Sequence, residues 1–214
     1  MAVTPKESGA KLSISIMSSN ISNLAAFKEV LQSITPLPEE ETDWLSAQLQ
    51  KRVFKPGQNL FFPGSPDAGI HFIERGLVRY YYSNAEGNER NHGFAAEANL
   101  VGCFPVFAGY DRCPLTVQAL EETATLYVSG DIVRRFSSRH ACWIKFQMRL
   151  MAHVALRKAA REETLLLDSP EQRYISFIDN FGKILPRIPQ YHIASFIGVT
   201  PVALSRIRKR INQV

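Results

Sequence analysis

Apolar and polar positions change rhythm three times along this 214-residue chain. Residues 1–23 are rich in serine, threonine and small residues without a sustained period, and read as a loosely ordered segment with Met17 as an alternative start. Helical spacing follows over 24–34, behind Ser22 and Asn23 as cap, and over 38–51. In the second, Pro38 with Glu39, Glu40 and Glu41 suits the positive end of a helix dipole. From 52 to 128 short apolar runs alternate with turn residues, predicting strands at 52–54, 60–62, 69–74, 77–82, 89–94, 100–102, 115–119 and 124–128. The breaks at Pro56-Gly57, Pro63-Gly64, Arg75-Gly76 and Glu86-Gly87 indicate an antiparallel barrel or sandwich. Tyr80, Tyr81 and Tyr82 look like a binding platform, but a strand sends alternate side chains to opposite faces, which favours a strand covered on both sides.

The rhythm then turns helical again. Ala141–Leu167 contains no proline or glycine and is rich in strong helix formers. A helix of that length runs about 40 Å, more than a barrel of short strands can bury. Ile144, Met151 and Val154 share one face, with Met148 and Ala155 on another, so the stripe is expected to pack against its own copy in a second subunit. Ser169-Pro170-Glu171-Gln172 then has the spacing of a capping box, opening a helix that ends near Gly182.

Residues 188–212 read IPQYHIASFIGVTPVALSRIRKRIN. Ile188-Pro189 starts one helix, with Ile193, Ala194 and Ile197 inward; Gly198 turns the chain; Thr200-Pro201 caps a second helix with Leu204, Ile207 and Ile211 inward. This is helix–turn–helix spacing. The positions that would meet a duplex are Gln190 and Tyr191 on the first helix and Thr200, Val202, Ala203, Ser205, Arg206, Lys209 and Arg210 on the second. Arg can pair bidentately with guanine, and Lys or Arg can hold phosphates.

Charge sharpens this reading once it is located. The net charge is +5, and from Asn180 onward six basic residues stand with no acid, leaving nineteen basic against twenty acidic before them. A near-neutral body with a basic end points to a polyanionic partner, double-stranded DNA, at that end. Composition is otherwise that of a globular protein, with 45% hydrophobic and 21% charged residues and no stretch of the length a bilayer span needs, so no membrane partner is expected. Cys103, Cys113 and Cys142 form no CxxC and leave one thiol unpaired in any disulfide scheme, which suits the cytoplasm. Five scattered histidines, no iron–sulfur spacing, no P-loop and no paired carboxylates predict neither a metal site nor catalytic residues, and hence no enzyme.

With these residues in view, the chain from Leu24 onward resembles the Crp/Fnr family, the cyclic-AMP receptor protein and its relatives. The marks are Phe54-Lys55-Pro56-Gly57, Gly64, Phe72-Ile73-Glu74-Arg75-Gly76 and Val78, together with the C-terminal helices. The resemblance implies an α+β fold: an antiparallel cyclic-nucleotide-binding-like β-roll over 24–140, a dimerisation helix over 141–168, and a helix–turn–helix domain over 169–214. It also implies a homodimer and RNA polymerase as a further partner.

Two departures from the family follow. Its recognition helix offers Arg, Glu and a later Arg to base edges, and here those places hold Pro201, Val202 and Arg206. Only seven residues, 181–187, join the preceding helices, so a reduced domain without the β-hairpin wing is expected. In the family's ligand pocket, Glu after a strand-end glycine holds the sugar and an Arg pair holds the cyclic phosphate. Around the corresponding Gly102, this chain has Cys103 for the Glu and Cys113-Pro114 for the Arg pair, with Arg112 one place early and so turned to the other face. The expected effector is therefore a small molecule other than cyclic AMP. Cys103 and Cys113 lie at the ends of one segment and could meet in space, although a buried inert thiol is the ordinary role. The function these readings support is a sequence-specific DNA-binding transcriptional regulator. The rival is a small-molecule-binding signalling module whose C-terminal helices make protein contacts.

Overall fold

The structure is a computed structural model that describes residues 23–65, 69–105 and 113–211. Arg112, one of the pocket candidates, and residues 1–22 lie outside them.

Eight strands form where the turn spacing predicts: β1 (Gln50–Phe54), β2 (Asn59–Phe61), β3 (Ile70–Arg75), β4 (Val78–Ser83), β5 (Glu89–Ala95), β6 (Leu100–Gly102), β7 (Thr116–Ala119) and β8 (Thr123–Val128). They pair antiparallel into two four-stranded sheets, in the orders β1-β8-β3-β6 and β2-β7-β4-β5. Ahead of them stand α1 (Asn23–Ile34) and α2 (Glu39–Ser46). The expected helix over 38–51 is shorter than its pattern, because Gln50 and Lys51 leave it to pair with Tyr127 and Leu126 of β8.

A helix that the apolar pattern did not single out, α3 (Gly130–Arg139), follows β8, capped by Ser129 Oγ, which accepts from the Ile132 N–H. Its inward face is Val133 and Phe136 beside Gly130, at helical spacing against Arg134, Arg135 and Arg139, a short amphipathic pattern that the sequence reading passed over. Then comes α4 (Ala141–Leu167). Its first turns close the core, where Trp143 stacks on Phe136 and its Nε1 donates to Glu41 Oε2 at 2.7 Å. Arg139 donates to the same oxygen at 2.9 Å, so the buried carboxylate of α2 is satisfied by α3 and α4.

The chain continues through α5 (Pro170–Phe181), a single 3-10 turn at Leu185–Arg187, α6 (Gln190–Ile197) and α7 (Pro201–Ile211). The capping box is formed: the Gln172 N–H donates to Ser169 Oγ, and the Ser169 N–H to Gln172 Oε1. Among the described residues after Leu167 there is no strand, and no helix is long and apolar enough to cross a membrane. One apolar core fills the roll; a second joins α5, α6 and α7 to Leu77, Phe94 and Ala96 of the roll itself.

Candidate nucleic-acid interface

Three helices build this surface, and their inward faces explain its shape. Leu204 and Ile207 of α7 are fully buried against Ile193, Ala194 and Ile197 of α6 and Tyr174 and Phe177 of α5. Gly198 ends α6 with φ +76°, a left-handed turn that glycine takes without strain. The Thr200 hydroxyl then accepts from the Ala203 N–H at 3.2 Å and starts α7.

With that face fixed inward, the remaining positions turn to solvent. Val202, Ser205, Arg206 and Lys209 are exposed on α7, and Gln190 and Tyr191 are exposed on the first turn of α6. Ala203 is half-buried beneath them. Arg210 is exposed but engaged: its Nη2 sits 2.8 Å from Glu171 Oε1 of α5. Together with Pro170, Val199, Ala203, Arg206 and Ile207, this pair lines a shallow cleft of about 200 Å³ between α5 and α7.

The back of the helix pair is docked on the roll through a buried polar cluster that the chain pattern gave no means of finding. Asn91 of β5 donates from its backbone N–H to Ser195 Oγ (3.0 Å), and from Nδ2 to the His192 carbonyl (3.0 Å). Asn91 Nδ2 also lies 3.0 Å, and Arg79 Nη1 3.4 Å, from His192 Nδ1. Two donors converge on that nitrogen, so it is the acceptor and the ring is neutral with its proton on Nε2. Burial first, and then the Arg79 charge, push the His192 pKa down to about 4, with Glu89 opposing. Arg79 is itself buried, paired with Glu89 at 2.6 Å, forked onto Gln118 Oε1 at 2.9 and 2.6 Å, and stacked on Tyr81. Arg161 of α4 closes the cluster, donating to the Phe196 carbonyl at 2.7 Å with its guanidinium over the Phe196 ring.

The described pocket candidates lie on the roll. Gly102 is buried at the end of β6, with the Gly69 carbonyl 3.1 Å from where a Cβ would stand. Cys103 and Cys113 are buried in the roll's core and hydrogen-bonded to each other, and Pro114 is exposed. Among the described residues no three His, Cys, Asp or Glu side chains gather as metal ligands.

Two sheets closing over one core, a long helix leaving them and three helices beyond define a class. Residues 51–140 match the cyclic nucleotide-binding domain. Over 191 residues the chain is 26% identical to the fumarate and nitrate reduction regulatory protein of Escherichia coli (strain K12), covering 83% of this chain and 75% of that one. In fold it is similar to CLP of Xanthomonas campestris, a c-di-GMP-responsive global regulator, with a TM-score of 0.66 at 15% identity over 82% of this chain and 92% of that one. A Crp/Fnr-family chain from Eubacterium rectale also gives 0.66, at 17% identity over 82% and 84%. In sequence the chain is thus similar to a regulator of this kind, and in fold to Crp/Fnr-type regulators: it is an α+β protein with a cyclic-nucleotide-binding-like roll.

Proposed function

We propose that the chain is a homodimeric transcriptional regulator that places α7 in the major groove of DNA. The observation that carries this is the outer face of α7. Arg206 and Lys209 stand exposed there with Ser205 and Val202, while Leu204 and Ile207 anchor the helix from behind. A rigid helix presenting uncommitted cations and small side chains matches the width and charge of a major groove. Arg206 is the base reader; Lys209, Gln190, Tyr191 and Thr200 hold the backbone. Val202 and Ala203 offer apolar contact to a thymine methyl, and Ser205 a hydroxyl to a base edge.

The second subunit is supplied by α4. Its roll-facing side carries Trp143, Phe146, Leu150 and, half-buried, Met151. The opposite side leaves Ile144, Met148, Ala152, Ala155 and Ala159 exposed at helical spacing. The expected face of Ile144 with Met151 and Val154 is thus divided: Met151 packs on the chain's own roll while Ile144 is exposed. The outward stripe is apolar at one end and small at the other, which lets two helix backbones approach closely.

Titrating a random-sequence duplex with the full chain at increasing salt tests the reading. Affinity should fall log-linearly, with a slope of about 0.9 for each phosphate held. Absence of any salt-dependent binding would overturn it. Because that duplex carries no operator, this result depends on neither effector nor target sequence.

A further inference from the structure

Cys103 directly follows β6 and Cys113 precedes β7, strands that belong to different sheets of the roll. Both thiols are buried, at 4% and 3% exposure, within the roll's core, and neither is part of a disulfide. They are hydrogen-bonded to each other, and Cys113 Sγ also lies 3.5 Å from the Leu115 carbonyl. Two thiols in contact differ chemically from two isolated ones. The first to be oxidised finds a second thiol within hydrogen-bonding reach as a nucleophile.

We propose that Cys103 and Cys113 form an oxidisable dithiol, a modification site at which hydroperoxides convert the roll to a form with its two sheets covalently joined. Cys113 attacks as thiolate. Its sulfur bonds to one peroxide oxygen as the O–O bond breaks, giving Cys113 sulfenic acid and hydroxide, which takes a proton to become water. The Cys103 thiol then attacks the sulfenic sulfur. The S–S bond forms, the S–O bond breaks, and the thiol proton leaves with the departing hydroxyl as a second water. Two thiols lose two electrons in all, and one hydrogen peroxide is reduced to two waters.

The electrostatics fit this order of events. The hydrogen bond from Cys103 pulls the Cys113 thiol down to about 7 against the opposing effect of burial, so much of it is ionised near neutral pH. Cys142 is the built-in contrast: burial and the nearby Glu41 carboxylate push its thiol up. Burial selects the oxidant, because hydrogen peroxide is little larger than water and can reach sulfurs that bulkier disulfides cannot. The proposal stands apart from DNA binding, since it concerns the roll alone.

The test is peptide mass spectrometry on the full-length protein treated with a few equivalents of hydrogen peroxide, acid-quenched and alkylated with iodoacetamide under denaturing conditions. The expected product is a linked Cys103–Cys113 peptide, about 2 Da lighter than its two free halves and restored by dithiothreitol. Cys142 is fully alkylated in the same sample. The rate of linkage should rise about tenfold from pH 6 to pH 8, following the thiolate. In Cys103→Ser the reaction should stop at Cys113 sulfenic acid, captured by dimedone. Full alkylation of Cys103 and Cys113 after peroxide, or a link between separate chains in place of the internal one, would overturn the proposal.

Discussion

Arg206, Lys209 and Arg210 look equivalent in the sequence and separate in the structure. Arg206 and Lys209 are exposed on α7, while Arg210 is held by Glu171. Arg206→Ala should therefore weaken specific binding by about 1–3 kcal/mol and relax preference at one base position, read by anisotropy against single-base variants of the site. Lys209→Ala should weaken binding to all sequences alike and flatten the salt slope by about 0.9, and Arg210→Ala should flatten it less. Equal slopes for the two variants would show that the Glu171 pair opens on DNA. The pocket positions were legible in part. That Cys103 and Cys113 could meet followed from their place at the ends of one segment, but that both sulfurs are buried did not. A cyclic phosphate brought to this place would find at Cys113 a weak thiol donor or a like-charged thiolate, and no backbone N–H at Pro114. Forgoing a charged hydrogen-bond partner costs on the order of 1.5–3 kcal/mol, before any cost of leaving the anion unpaired. Calorimetric titration with cyclic AMP should accordingly give no micromolar binding, and a micromolar dissociation constant would refute this.

Among the elements, the strands and α4 were the most legible and the helix–sheet docking the least. Turn residues mark most of the strand ends, and an unbroken run of strong helix formers marks Ala141–Leu167, so both patterns are local. The docking of α6 on β5 rests on Arg79, Asn91 and His192, polar residues that read as exposed until a partner over a hundred positions away covers them. Its cost appears in acid. His192 and His92 both stand near 4, each mainly through burial and then neighbouring arginine charge: Arg79 for His192, and Arg161 first for His92. The unfolded chain protonates first, at the ordinary value of 6.5, so stability is whole above that pH and declines as pH falls from 6.5 towards 4. For His192 alone the slope is up to about 1.4 kcal/mol per pH unit. Urea midpoints at pH 7, 6 and 5 should fall in that order, and His192→Gln should make the fall shallower. For α4, Met148 is the cleaner probe of dimerisation, because it is 68% exposed whereas Met151 packs on the roll. Met148→Glu should give a monomer in light scattering at micromolar concentration with its thermal unfolding little changed.

At the scale of the whole molecule, roll, long helix and reading helices share contacts that make their arrangement specific. Phe94 of β5 touches Phe177, Phe181 and Phe196, and Arg161 ties α4 to α6, so the reading surface is carried by the roll. Two copies joined along α4 would present two α7 helices to one duplex. A two-fold arrangement suited to successive major grooves requires half-sites about 34 Å apart, or roughly 10 base pairs. Selection of bound duplexes from a random-sequence library measures this directly. The predicted result is an enriched, two-fold symmetric motif with half-site centres about one helical turn apart, losing information at one position per half-site in Arg206→Ala. A pool that enriches no motif, or one that is unchanged in Arg206→Ala, would contradict DNA reading by α7.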